Sequence, residues 1–259
     1  MTRTYVVTGS ASGIGKATRD LLSEQGHRVI GVDIAEADIS VDLGSPEGRT
    51  ELVRRVEEES GGTVDAVLAV AGLSSPTAAT AAVNFFGTVA TLEGLRPLLA
   101  RSSAPRAVAV SSMAALFPPD DELLEQFLAG DEAGAMDRAA VLAGDPATAG
   151  LIYGSSKRAL SRWIRRVAPS PVWAGASIAL NAVAPGVVYT PMTAELTGTA
   201  EGREQLLQMV PMPLNGFFAP EDAAELLVWL SSVANAHLCG QVIYIDGGSD
   251  AVLRGDSVW

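Results

Sequence analysis

The sequence predicts an α/β fold, a doubly wound parallel sheet with helices on both faces. Three observations carry that expectation. Short β-branched runs alternate with stretches of helical spacing, the alternation that builds a parallel sheet covered on both sides. A glycine-rich loop follows the first run without a gap. An acidic residue closes the second run, about 20 residues beyond the loop's middle glycine.

Taken in order, Tyr5 to Thr8 reads as the first strand and runs into Thr8, Gly9, Ser10, Ala11, Ser12, Gly13, Ile14, Gly15. Lys16 to Gln25 has helical spacing, and Arg28 to Val32 is the second strand, ending on Asp33. Helices over Gly48 to Ser60 and Ala82 to Leu99 alternate with strands over Ala66 to Val70 and Ala107 to Val110. The segment Tyr153 to Lys157 is read as helical, Asn181 to Gly186 as a strand leaving through a turn, and Val242 to Ile245 as the last core strand. Together these make a Rossmann-type sheet in a single domain over residues 1–259, with an acidic, alanine-rich insertion at about 116–150 and a segment at about 192–215 that would cover a substrate. Pro169 and Pro171 end the helix that carries Tyr153 and Lys157.

The 259 residues are 48% hydrophobic and suffice for one large core. Eighteen basic against 30 acidic side chains give a net charge of −12, which argues against nucleic acid and an anionic membrane surface as partners. The one cysteine, Cys239, has no partner for a disulfide or a metal cluster and suits a reducing compartment as a small buried apolar filler. The residues from Thr2 to Val7 leave no room for a signal peptide, and no apolar run reaches the ~20 residues of a membrane helix. A cytoplasmic location is therefore expected. His27 and His237 stand alone, so no metal is expected.

The loop glycines permit a tight turn and let backbone amides approach a pyrophosphate at a helix N-terminus. Such a loop is common by itself, but here it lies between a strand and a helix and is followed by Asp33. A carboxylate there accepts hydrogen bonds from ribose hydroxyls and repels a 2′-phosphate, which favours NAD over NADP. Tyr153 and Lys157 stand at i and i+4, side by side on one helical face, and a cation beside a phenol shifts it toward phenolate. Alone that spacing is more often a surface pair. Ser111 and Ser112 at the carboxyl end of a strand, and the Pro185-Gly186 turn followed by Thr190, aim at the same sheet edge.

With Thr8 to Gly15, Ala71-Gly72, Asn84, Ser112, Tyr153, Lys157 and Pro185-Gly186 in this order, the sequence resembles the short-chain dehydrogenase/reductase family over essentially its whole length. The long interval from Ser112 to Tyr153 resembles the family's bacterial 3α-hydroxysteroid dehydrogenase/carbonyl reductase branch. The resemblance implies an NAD-dependent interconversion of a secondary alcohol and a ketone. Tyr153 would be general acid/base, Ser112 would hold the substrate oxygen, Lys157 would bind ribose and acidify the phenol, and Asn84 would support a proton-relay water. Cofactor contacts would come from Gly9, Ser12, Gly13, Ile14, Gly15, Asp33, Asp42, Leu43, Ala71, Gly72, Tyr153, Lys157, Pro185, Gly186 and Thr190, with Asp42 and Leu43 bordering the adenine. The chain departs from the family's Asn-Asn-Ala-Gly at Ala69 to Gly72, losing amides that usually brace the sheet.

Met192, Leu196, Leu206, Leu207, Met209, Met212 and Leu214 would give the covering segment an apolar lining suited to an alicyclic or steroid-sized substrate, or would simply be core. Leu116, Phe117, Leu123, Leu124, Phe127 and Leu128 in the insertion are read either as an ordinary packed helix face or as a device that alters assembly, toward a dimer where a tetramer is the alternative. The run Lys157, Arg158, Arg162, Arg165, Arg166 is read as a solvated or inter-subunit face. Two other functions stand beside the oxidoreductase: a catalytically silent dinucleotide-binding sensor or assembly protein, and a reductase of acyl-carrier or sugar substrates.

Overall fold

Seven parallel strands run in the order β3-β2-β1-β4-β5-β6-β7 in a computed structural model that describes residues 2–258. The first half of the chain supplies β1 (Thr4–Thr8), α1 (Gly13–Glu24), β2 (Arg28–Asp33), β3 (Ile39–Ser40), α2 (Pro46–Ser60) and β4 (Ala66–Ala69). It continues through α3 (Ala78–Ala81), a π-helical turn (Ala82–Gly87), α4 (Thr88–Leu99) and β5 (Arg106–Val110). The second half holds α5 (Asp121–Ala129), α6 (Glu132–Ala143), α7 (Leu151–Val167), β6 (Ala179–Pro185), α8 (Ala194–Thr197), α9 (Ala200–Met209), α10 (Pro220–Ser231), β7 (Val242–Ile245) and α11 (Ser249–Arg254).

Strand residues alternate between two cores, as the two-residue period of a pleated strand requires. Val6, Val67, Ala107 and Ala109 pack with α2, α4 and α7, whereas Tyr5, Val7, Ala66, Leu68 and Val108 pack with α1 and α10. Because β1 pairs with both β2 and β4, the strand order reverses between β1 and β4. Open α/β sheets hold their ligands in the crevice that opens there, beyond the carboxyl ends of the strands.

The expected strands are present, and the two-residue β3 is an addition. Helix α1 begins at Gly13, three residues before the expected Lys16, because the Lys16 amide already donates to the Ser12 carbonyl at 3.0 Å and so closes the first helical turn over the loop's last residues. The helix expected over Ala82 to Leu99 opens instead with the π-helical turn and is preceded by α3. With no amide-bearing side chain at Ala69 to Gly72, the sheet is braced there by Thr8, whose hydroxyl accepts hydrogen bonds from the Val70 and Ala71 amides at 3.0 and 3.1 Å. Cys239 is half-buried rather than buried.

Helices α5 and α6 give the acidic segment a packed face: Leu123, Leu124 and Phe127 are buried in the same core as Phe85 and Phe86. The Phe127 ring lies 4.9 Å from Phe85 and 5.6 Å from Phe86. Asp120 caps α5 and is held by Arg138 of α6 at 2.6 Å. Among the described residues, no helix is long and apolar enough to cross a membrane.

Candidate active site

A cavity of about 640 Å³ lies over the carboxyl ends of the strands at the switch point. Its walls include every residue expected to contact a cofactor, from Gly9 to Thr190, together with Ser112. Asn84 alone of the expected site residues stands behind the wall, fully buried.

The glycine loop is shaped by backbone demands. Gly9 has a φ of 71°, a left-handed conformation that side chains resist. A Cβ on Gly15 would fall 2.0 Å from the Gly9 carbonyl oxygen. The turn therefore closes with its backbone bare at the start of α1, the arrangement that admits a pyrophosphate. Asp33 ends β2 beside this loop, and one carboxylate oxygen accepts a hydrogen bond from the Ala11 amide at 2.9 Å. The next residue, Ile34, is apolar and 71% exposed. Lys16 and Arg19 are both engaged with Asp20. Just beyond β3, which pairs with the end of β2, the Asp42 carboxylate accepts from the Gly44 amide at 2.8 Å and shapes the turn that presents Leu43.

Ser112 follows β5 and caps a short 3₁₀ turn, its hydroxyl accepting from the Ala114 amide at 3.1 Å. Tyr153 and Lys157 lie one turn apart on α7, with the ammonium 5.8 Å from the centre of the phenol ring. Burial pushes the Tyr153 phenol above its ordinary value, partly offset by hydrogen bonding with Ser112. The lowering comes from Ser112 and not from Lys157, so the expected acidification by the ammonium does not set this phenol. Lys157 itself is only 3% exposed and is pushed down to about 8 by burial. Its ammonium donates to the Val110 carbonyl at 2.8 Å, and an ammonium has two further donors to offer.

Lys157 is therefore no part of a solvated basic face, contrary to the sequence reading. That run is divided by the helix: Arg158 donates to the Phe117 carbonyl and Arg166 to the Leu128 carbonyl, both at 3.1 Å, so they tie α7 to the ends of α5's segment. The sequence gives no sign of this division, since five basic residues at helical spacing look alike until the neighbouring elements are placed.

Hydrogen bonds fix the pieces relative to one another. Ser111 donates to the Lys157 carbonyl at 3.1 Å and shares a hydrogen bond with Ser161 at 2.7 Å. Asn84 bridges the Leu73 backbone, accepting from its amide at 2.8 Å and donating to its carbonyl at 2.9 Å. It also donates to Ser156 at 3.3 Å, and Ser156 donates to the Tyr153 carbonyl at 2.7 Å. The Asn84 side chain is thus committed to bracing, and it sits in the π-helical turn, a geometry that concentrates at functional sites.

The sequence reading missed Ser111 and Ser156 as braces and Val83 and Val110 as cavity walls. The side chains expected to cover a substrate divide: Met212 is buried, while Met192, Leu196, Leu207, Met209 and Leu214 are exposed, so the simple core reading fails for these five.

Comparison with known proteins agrees with this geometry. Residues 3–122 match the short chain dehydrogenase family, and residues 135–250 match the family described as Enoyl-(Acyl carrier protein) reductase. The chain is 34% identical to the 3-alpha-hydroxysteroid dehydrogenase/carbonyl reductase of Comamonas testosteroni, over 96% of this chain and 97% of that protein. It is 26% identical to the cis-4-hydroxycyclohexanecarboxylate dehydrogenase of Sinomonas cyclohexanicum, over 96% and 97% respectively. Among solved structures, the 3-alpha-hydroxysteroid dehydrogenase of Pseudomonas sp. B-0831, complexed with NADH, superposes with a TM-score of 0.88 at 38% identity, covering 98% of this chain and 99% of that one.

Proposed function

The chain belongs to the short-chain dehydrogenase/reductase family, and on that premise we propose that it is an NAD(H)-dependent oxidoreductase that interconverts secondary alcohols and ketones on an apolar, alicyclic to steroid-sized substrate. One observation carries the reading: Ser112, Tyr153 and Lys157 meet in the same cavity as the glycine loop and Asp33.

The walls fit a dinucleotide. The glycine loop forms the cavity wall at the start of α1, where backbone amides can meet a pyrophosphate, and Asp33 stands at the position that receives the adenosine ribose. NAD is favoured because a 2′-phosphate would meet the Asp33 carboxylate and the exposed Ile34, with Lys16 and Arg19 already paired to Asp20. When bound, the nicotinamide supplies the hydride or accepts it.

The chain's own groups handle the oxygen. Ser112 holds the carbonyl oxygen and stabilises the negative charge that develops there. Tyr153, a phenol whose burial favours the neutral form, donates its proton to that oxygen during reduction and accepts it back during oxidation. Lys157 holds the ribose with the donors that Val110 leaves free. The residues 192–215 act as the substrate's apolar cover, and α5 and α6 as a family insertion packed on α7. Relatives whose names include a hydroxysteroid and a hydroxycyclohexanecarboxylate dehydrogenase support the alicyclic class.

A panel of alicyclic, steroid, acyl-carrier and sugar ketones, followed by nicotinamide absorbance with NADH and NADPH in parallel, tests the proposal. The expected result is turnover of alicyclic ketones with NADH preferred. Tight NADH binding without turnover of any ketone would identify a sensor instead.

A further inference from the structure

We propose that Arg49 and Glu132 form a positioning pair that sets the adenine end of the cavity, so that α6 governs cofactor affinity without touching the cofactor. This rests on the reading above, in which Leu43 borders the adenine.

Arg49, in α2, is a charged side chain only 8% exposed. Buried charges are costly unless paired and hydrogen-bonded, and this guanidinium is fully engaged on two sides. Toward the cavity it donates to the Leu43 carbonyl at 2.8 Å and the Gly44 carbonyl at 3.1 Å. On its outer edge it meets Glu132, the first residue of α6, through two contacts of 2.8 Å each. That two-point geometry is the strong form of an arginine–carboxylate pair.

Leu43 and Gly44 line the cavity, whereas neither Arg49 nor Glu132 does. The π-helical turn comes close to the same carbonyl, since a Cβ on Gly87 would lie 2.8 Å from it, and the guanidinium also donates to the Ala82 carbonyl at the start of that turn at 3.4 Å. The wall at Leu43 is therefore tied to α2 and to the π-helical turn through one guanidinium, and the guanidinium is held in place by a carboxylate from the 116–150 segment. Removing that carboxylate leaves a buried cation with carbonyl partners only, an unbalanced charge that the surrounding loop must move to solvate.

The pair could also do no more than staple α6 to α2, and the two roles differ in what they do to half-cofactors. ADP-ribose probes the adenine end and reduced nicotinamide mononucleotide the other. Wild type, Glu132→Gln and Arg49→Lys are titrated calorimetrically with each, with thermal melting in parallel and KM and kcat measured for NADH. Lysine lacks the fork needed to reach Leu43, Gly44 and Glu132 together. The expected result is ADP-ribose binding weakened about tenfold in Arg49→Lys and by a smaller factor in Glu132→Gln. Binding of the mononucleotide should stay within about twofold, and KM for NADH should rise at constant kcat.

Unchanged ADP-ribose affinity with a lowered melting temperature would overturn the proposal in favour of a staple, as would equal losses for both half-cofactors. Wild type that fails to bind ADP-ribose would overturn the adenine assignment itself, a failure distinct from that of the pair. Should Arg49→Lys not fold, Glu132→Gln carries the test, because that side chain is 35% exposed.

Discussion

The floor of the cavity and the segment beside it, residues 192–215, are built by opposite means. On the floor, hydrogen bonds join residues far apart in sequence: Lys157 to Val110, Ser111 to Ser161, Asn84 to Ser156. In the segment they are mostly local: Thr197 to Thr193, Gly202 to Thr199, Arg203 to Thr197. Its long-range anchors gather at the far end, where Leu214 donates to the Gly247 carbonyl and Ser249 to that of Pro211. Leu214 is nevertheless 68% exposed. Stretches with few buried apolar contacts open at low cost, and binding elements are drawn from them. The difference teaches where fixed geometry is required: proton transfer needs placement to a fraction of an ångström, whereas an apolar substrate body needs a surface that can adjust.

Removing the proton breaks the comparison on the floor side with the largest effect. Tyr153→Phe keeps the ring and its packing but loses the hydroxyl, and turnover should fall by about 10³-fold or more. NADH binding, followed by fluorescence, should stay close to wild type. Substantial turnover by this variant would remove Tyr153 from the chemistry.

Lys157 shows what the floor costs. Its depressed pKa means that the folded chain binds less proton than the unfolded chain between about pH 8 and the ordinary lysine value of 10.5. Wild-type stability therefore rises with pH through that window, and the burden of a buried ammonium is greatest below it. Lys157→Met should lose cofactor binding yet be more stable, by roughly 2 kcal/mol below pH 8 once the lost bond to Val110 is set against the relieved desolvation. Chemical denaturation as a function of pH checks this: the gap between variant and wild type should shrink toward pH 10.5, and a gap independent of pH would sink the argument.

The sequence told these regions apart unevenly. Strand alternation, the glycine loop, Asp33 and the Tyr153–Lys157 spacing are local patterns, and local patterns set the sheet and most of the cavity wall. The π-helical turn at Ala82 to Gly87 was hidden because Ala82, Asn84, Phe85, Phe86 and Gly87 are all buried, leaving no polar face whose rotation would betray the extra residue. Helix α6 was hidden because it buries mainly alanines, Ala135 and Ala139, beside Leu142. Helix α5 could be read as a packed apolar face, but not what it packs on, since the partners of Phe127 are Phe85 and Phe86, about 40 positions earlier in the chain. Burial of Lys157 and the bracing by Asn84 depend on β5 and α7 coming together, which no spacing announces.

The smallest effect sharpens the other side of the comparison. Leu207 lies on α9, 42% exposed, in a helix none of whose residues is buried. Its packing contributes little to the folded state, so Leu207→Ser should change stability by no more than about 0.5 kcal/mol, within the range of ordinary surface substitutions. If the segment closes over an apolar substrate, the same change removes apolar contact made only in the complex, and KM for an alicyclic ketone should rise several-fold while KM for NADH holds. Thermal melting and substrate kinetics on one preparation separate the two quantities. A fall in melting temperature with unchanged substrate KM would mean that Leu207 packs on the domain rather than on the substrate, and the contrast between a braced floor and an adjustable cover would then have to be drawn nearer to Met192, whose side chain is exposed and already borders the cavity.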